Sequence, residues 1–264
     1  MLHSKHALLA TGVTGVIGQR ISKECSSVSY RNFLSSGKLD GSLEYLNGTL
    51  IHLAGVVGES LINADPQSAL RVNLEGVLDF AHALEARGLR RFVFVSSSHV
   101  YGSSELAISE DHALRPFNNY GRLKVRGERA LRLAFLKSSM DIRIVRPFSI
   151  LGHGMPEFSL HGAVIRSQNR GEIIQNSLDQ RDFLTPEVMG QRILQLSLVK
   201  PDLNSITVNA CSGISRTVEE AAIRLIESYG LEEGRLSFDF KTSTNAKIIG
   251  NPRFQNHLLA HASF

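Results

Sequence analysis

Tyr120 and Lys124 stand four residues apart, a spacing that puts both side chains on one face of a helix. A free phenol holds its proton to about pH 10, too high for proton exchange at neutral pH. A lysine ammonium beside it favours the phenolate, and so does the positive ring of an oxidised nicotinamide. Bringing the phenol to near neutrality takes about 4 kcal/mol of differential stabilisation, within reach of two partly desolvated positive charges. Ser97 ends the apolar run RFVFVS, so it falls at the end of a strand, where its hydroxyl can hold a substrate oxygen while the tyrosine moves the proton. A Tyr-x-x-x-Lys pair recurs by chance; one that follows a strand-end serine and a glycine turn does not.

That glycine turn lies in LLATGVTGVIG at residues 8–18, an apolar run followed by glycines three apart and the start of a helix. Gly12 permits the tight turn and Gly15 lets the backbone approach a pyrophosphate. The amides of Val16 and Ile17 open the helix, and Gly18 allows it to pack closely on the strand. The pattern predicts a dinucleotide site. A second strand is expected at Val28–Asn32, where NAD-preferring proteins commonly carry a carboxylate for the ribose. Arg31 stands there instead, with no carboxylate nearby, and an arginine can pair with a 2′-phosphate. NADP is therefore the expected cofactor, with NAD as the alternative; a solvated surface arginine would explain Arg31 as well.

The elements that must position these residues alternate. Apolar runs at His6–Thr11, Leu50–Leu53, Arg91–Ser96 and Ile142–Val145 read as buried strands. Segments of helical period at Ala69–Ala86 and Tyr120–Leu136 lie between them. The alternation predicts an α/β fold, a Rossmann-type doubly wound parallel sheet. Past Pro147 the pattern changes. Gly152–Arg181 reads as a loop-rich stretch over a site, followed by a helix at Pro186–Leu198, a strand at Ile206–Asn209, a helix at Thr217–Tyr229 and a strand near Leu236–Phe240.

With 264 residues, 42% of them hydrophobic and 20% charged, the composition is that of a soluble globular chain. No apolar run reaches the roughly 20 residues that span a bilayer, and the N-terminus has no signal-peptide pattern, so no membrane partner is expected. Basic residues number 29 against 25 acidic, without a dense basic stripe or interleaved aromatics, which argues against nucleic acid. Cys25 and Cys211 lie far apart and no metal-ligand spacing appears, so neither a disulfide scaffold nor a metal is expected. Cys211 reads as a small buried hydrophobe, and the simplest compartment is the cytoplasm.

The chain resembles the extended short-chain dehydrogenase/reductase family, the NAD-dependent epimerase/dehydratase group that modifies nucleotide sugars. The resemblance is carried by TGVTGVIG at 11–18, IHLAG at 51–55, RVNLEGV at 71–77, FVSSSHVYG at 94–102, YGRLK at 120–124, RPFSILGHG at 146–154 and RDFLT at 181–185. It implies a dinucleotide-binding domain at residues 1–148 with a returning segment at 182–210, and a small C-terminal substrate-binding lobe at 149–181 and 211–264. It also implies Ser97, Tyr120 and Lys124 as the catalytic set. Leu53, Ala54, Gly55, Asn73 and Pro147 would lie near the cofactor, and Ser98, Ser149, Ser159 and Arg181 near the substrate, Arg181 on its diphosphate. A homodimer through the two long helices is a further implication.

Three departures from the family pattern stand out. Only residues 19–51 separate Gly18 from His52, so the region after the second strand is trimmed. Ser149 and Ser159 stand where the family often has asparagines. Ser98-His99 replaces the acidic pair of the family's dehydratases, which argues against dehydration. His99 is either an acid/base, since histidine titrates near neutrality, or a residue of the pocket wall. The resulting expectation is an oxidoreductase that reduces a nucleotide-linked 4-keto sugar. The alternatives are a 4-epimerase with bound NAD and a non-catalytic dinucleotide-sensing protein.

Overall fold

The computed structural model describes residues 7–39, 47–200, 205–231 and 235–262. His6 of the first expected strand lies outside them. In chain order the elements are β1 (Ala7–Thr11), α1 (Val16–Ile21), β2 (Ser26–Ser27), α2 (Tyr30–Ser36), β3 (Gly48–His52), α3 (Glu59–Ala64) and α4 (Pro66–Leu70). A π-helical turn, Arg71–Glu75, runs directly into α5 (Gly76–Glu85). Then follow β4 (Arg91–Val95), a 3-10 turn at Ser98–Val100, α6 (Asn119–Ala134), β5 (Asp141–Pro147), β6 (Ser149–Ile150), α7 (Leu160–Arg170), β7 (Ile173–Ile174), β8 (Gln180–Leu184) and α8 (Pro186–Leu198). The chain closes with β9 (Ser205–Ala210), β10 (Ser215–Thr217), α9 (Val218–Ser228), β11 (Ser237–Phe238), β12 (Lys247–Ile248) and α10 (Arg253–Ala260).

β2, β1, β3, β4, β5 and β9, in that order, form one parallel sheet. The fold is thus Rossmann-type α/β. Buried on both faces, β3 and β4 are the continuous apolar runs that the sequence showed. On one face Phe92 and Phe94 join Leu50, Phe80, Leu84 and Leu131. On the other, Val93 and Ile51 join Ile21, Met189, Ile193 and Leu258 of α10. Full burial of one such phenylalanine is worth about 2–3 kcal/mol.

The Rossmann order 3-2-1-4-5-6 carries a strand outside the second one. Among the described residues this sheet has none, and β2 is its edge. The strand expected at Val28–Asn32 is not there either: β2 is Ser26–Ser27, and Tyr30–Ser36 is helical. The Ser29 hydroxyl caps that helix by accepting from the Asn32 amide, and Gly37 ends it in the left-handed region. Cap and stop signals eight residues apart outweigh the β propensity of Val28 and Tyr30.

Gly152–Arg181, expected as loop, holds α7, β7 and the start of β8. Beyond the main sheet, β8 pairs with β6, β10 and β12, while β7 pairs with β11. α7 and α9 share a separate small core of Val164, Ile174, Ala222, Leu225 and Ile226. Thr217 caps α9 in a capping box with Glu220. Cys25 and Cys211 are both buried free thiols.

Candidate active site

The turn after β1 approaches the loop after β3 so closely that only backbone fits between them. A Cβ on Gly18 would lie 2.1 Å from the Gly12 carbonyl oxygen, so no other residue lets α1 sit against the turn. Thr11 Oγ1 accepts from the Ala54 amide and bonds His52 Nδ1, tying β1 to the Leu53–Gly55 loop. No side chain caps α1, whose first turn carries the Val16 and Ile17 amides. Bare backbone beside uncapped helix amides suits a pyrophosphate, so this cradle fits a dinucleotide.

Asn73 sits within the π-helical turn, the kind of helix irregularity that recurs at functional sites. Buried, it accepts from the Val56 amide and donates to the Val56 carbonyl at 2.8 Å each way, which fixes the loop that the cofactor would lie along. Arg31 lies in the first turn of α2 and is exposed, rather than at a strand end. Its neighbours Ser29 and Asn32 line an open pocket with Lys38.

Ser97 stands two residues past the end of β4, and Tyr120 and Lys124 rise from the first turns of α6. The helix reaches the 3-10 turn because residue 121 is glycine. A Cβ there would stand 2.1 Å from the His99 carbonyl oxygen. The Ser97 hydroxyl, which accepts from the His99 amide at 3.2 Å, lies near enough to the Tyr120 phenol to favour its ionised form, so these two side chains do meet. Lys124 is buried, its Nζ 5.9 Å from the Tyr120 ring centre and donating to the Val95 carbonyl at 2.9 Å.

The electrostatics of this set differ from the sequence expectation. Burial pushes the Tyr120 phenol up to about 12, with only the Ser97 hydroxyl pulling the other way. Burial also lowers Lys124 to about 8, against the attraction of Glu128. Desolvation therefore governs the phenol, against the acidified state that the Tyr120–Lys124 spacing suggested.

His99 is half-buried. Burial first, and the charge of Arg181 second, lower its imidazole to about 4, with Glu59 opposing. Its ring stands edge-on to Tyr120, 5.5 Å between centres, and its Nδ1 is 3.2 Å from Asn118 Nδ2. Arg181 is held by Asp179 and the Ala246 carbonyl. The remaining expected residues are less engaged. Ser98 is buried as the first residue of the 3-10 turn and Pro147 ends β5. Ser149 pairs in β6, while Ser159 is occupied as the N-cap of α7 and donates to the Pro156 carbonyl.

Three features escaped sequence reading. Glu59 caps α6 from outside, its carboxylate accepting from the Asn119 and Tyr120 amides at 3.1 and 3.0 Å. The two segments are 60 residues apart and nothing local announces the contact. Asn118 caps the same helix by accepting from the Gly121 amide, a cap the Asn two before Tyr120 does signal. Behind the site, buried Glu128 takes a two-pronged pair from Arg146, at 2.9 and 2.6 Å, and a bond from Ser96. Among the described residues, no group of three or more His, Cys, Asp or Glu could hold a metal, and no helix is long and apolar enough to cross a membrane.

With this geometry in hand, the family described as NAD dependent epimerase/dehydratase matches residues 43–187. The GDP-6-deoxy-D-mannose reductase of Pseudomonas aeruginosa is 27% identical over 237 residues, 81% of this chain and 77% of the reductase. An uncharacterised UDP-glucose epimerase of Bacillus subtilis, YtcB, is 28% identical over 185 residues, 68% of this chain and 55% of that protein. An uncharacterised Sinorhizobium fredii protein is matched over only 41% of its length, so the chain spans well under two thirds of some of its relatives. Among solved structures, MoeE5 in complex with UDP-glucose and NAD superposes with TM-score 0.82 at 23% identity, covering 98% of this chain and 93% of that one. The RMD structure from Pseudomonas aeruginosa with NADPH gives 0.81 at 22%, covering 98% and 94%. At such identities the likeness to solved structures establishes the fold.

Proposed function

Because this chain belongs to the NAD dependent epimerase/dehydratase family, we propose that it reduces a nucleotide-linked 4-keto sugar, with Tyr120 as the proton donor. The observation that carries this reading is the meeting of Ser97, Tyr120 and Lys124 where β4 ends and α6 begins. Ser97 would hold the carbonyl oxygen and Tyr120 would pass its proton to that oxygen as negative charge develops. A phenol pushed up to about 12 is protonated at neutral pH, the state from which a reduction starts. The buried Lys124 ammonium would stabilise the phenolate left behind. A bound nicotinamide supplies the hydride. Gly12, Gly15, Val16, Ile17 and Gly18 would hold its pyrophosphate, and Leu53, Ala54, Gly55, Asn73 and Pro147 would line the rest of its site.

NADP is the proposed cofactor, on the exposed Arg31; relatives of this fold are seen with NAD and with NADPH. Arg181 and Ser98 are the proposed substrate contacts, with Ser149 beside them. We place the protein in the cytoplasm as a homodimer formed by α5 and α6. The outer face of α6 carries Arg122, Arg126, Arg129 and Leu133, and that of α5 carries Asp79 and His82. Polar and charged side chains outnumber apolar ones on that surface. Light scattering showing a 29.0 kDa monomer at micromolar concentration would remove the dimer from the proposal.

The test is a panel of GDP-, UDP- and dTDP-linked 4-keto sugars with NADPH or NADH. Turnover that consumes NADPH and releases NADP supports the reductase. A second reading, a 4-epimerase, draws on the Bacillus subtilis relative. Protein that purifies with bound NAD and interconverts C4 epimers without net cofactor consumption would favour it.

A further inference from the structure

Asn118 does two things with one amide. Its Oδ1 accepts from the Gly121 N–H at 2.8 Å, which caps α6, and its Nδ2 lies 3.2 Å from His99 Nδ1. An amide's oxygen and nitrogen are commonly interchangeable in a structure, but here the choice is fixed. A backbone N–H can only donate, so the atom facing Gly121 must be the oxygen. The Asn118 NH2 therefore faces His99, and His99 Nδ1 must be the acceptor.

From this geometry we propose that Asn118 is a positioning residue that holds His99 as the neutral tautomer with its proton on Nε2, making His99 a hydrogen-bond donor in the site and not a proton acceptor. The lone pair that a general base would need is the one Asn118 occupies. Protonating Nδ1 would set two N–H groups against each other, so the imidazolium is disfavoured. Burial and the Arg181 charge act in the same direction. The charged and titratable groups that face the ring are Arg181 from β8, Glu59 from α3 and Tyr120 from α6.

Among the described residues no protein group bonds Nε2, which leaves its N–H to offer to a hydroxyl or carbonyl oxygen. This role rests on the reading that the Ser97–Tyr120 site receives the sugar. His99 then selects an oxygen in the substrate and does not exchange protons at carbon. That separates it from both roles open at the level of sequence, the acid/base and a passive wall.

The experiment reads the tautomer directly, without substrate or cofactor. In protein with 15N-labelled histidine, long-range proton–nitrogen correlation distinguishes a protonated from an unprotonated ring nitrogen, and His99→Gln assigns the signal. The wild type should show unprotonated Nδ1 and protonated Nε2, unchanged from about pH 6 to 8. Asn118→Asp keeps an N-cap oxygen for Gly121 but turns the donor into a carboxylate. It should protonate Nδ1 and raise the imidazole's titration midpoint by at least about one pH unit. A protonated Nδ1 in the wild type, a wild-type midpoint near neutrality, or a folded Asn118→Asp protein with an unchanged tautomer would each overturn the proposal. If Asn118→Asp fails to fold, the wild-type spectrum still decides. The outcome is independent of turnover, so a failed substrate panel and a wrong tautomer are told apart.

Discussion

Lys124 and Tyr120 share one face of α6, yet the lysine's hydrogen bond goes elsewhere: its Nζ donates to the Val95 carbonyl, 2.9 Å away, and stands 5.9 Å from the tyrosine ring centre. The lysine is thus anchored at Val95, the last residue of β4. Anchoring it there ties α6 to the sheet edge at one point. Glu59, the first residue of α3, ties the same helix to that element at another.

Tyr120→Phe should reduce turnover by at least about a thousandfold while leaving dinucleotide affinity nearly unchanged, because only the proton-transfer hydroxyl is lost. Cofactor titration and steady-state rates on the same preparation check this. Turnover within tenfold of the parent would take Tyr120 out of the mechanism.

Lys124→Met should stabilise the cofactor-free protein while abolishing turnover. Burial lowers the lysine to about 8, so below that pH the folded state carries a charge it disfavours. Between about 8 and 10.5 the unfolded chain binds more protons than the native one, and wild-type stability from this group rises with pH. At pH 7 the variant should therefore gain about 1–3 kcal/mol, and the gain should vanish above the ordinary lysine range. Urea melts at two pH values measure it; equal stability of both proteins at pH 7 would refute it.

Glu59→Gln should weaken the start of α6 by about 1 kcal/mol and lower kcat more than it raises KM. Burial opposes ionisation of Glu59. The Tyr120 and Asn119 amides, Asn63 and the Arg122 charge together hold its carboxyl below the usual value. A lowered carboxyl contributes stability that is present above the unfolded pKa and is lost as pH falls through the folded one. Acidification from about pH 5 should thus cost the wild type stability that the variant no longer has to lose. Parallel pH–stability curves for the two proteins would contradict the assignment.

Glu128→Ala should destabilise the fold by about 3–5 kcal/mol, since it strands the buried Arg146 guanidinium without its partner. The double variant Glu128→Ala/Arg146→Met should lose less than the sum of the single losses. Chemical denaturation of the four proteins gives the coupling, and strict additivity would mean that the pair is not a unit.

Arg31→Ala should weaken NADPH more than NADH, because only the former carries a 2′-phosphate. Equal losses would show that Arg31 is not the selector, and Lys38, which lines the neighbouring pocket, would become the next residue to replace.

What the sequence by itself determined is whatever short-range pattern encodes. Continuous apolar runs marked β3 and β4 because strands buried on both faces need them. The i, i+4 spacing put Tyr120 and Lys124 on one face because a helix repeats every 3.6 residues. The glycine turn was legible because its constraint is local to residues 12–18. Local reading failed at Val28–Asn32, where Ser29 and Gly37 outweighed β propensity, and at Gly152–Arg181, where α7 hid among polar residues. Tertiary structure alone decided the rest. Desolvation, a property of packing, raised Tyr120 and lowered Lys124 where spacing suggested an acidified phenol. Glu59 reached Tyr120, and Arg146 reached Glu128, across chain distances that no periodicity spans. The orientation of a single amide, that of Asn118, follows only when Gly121 and His99 are brought to its two ends.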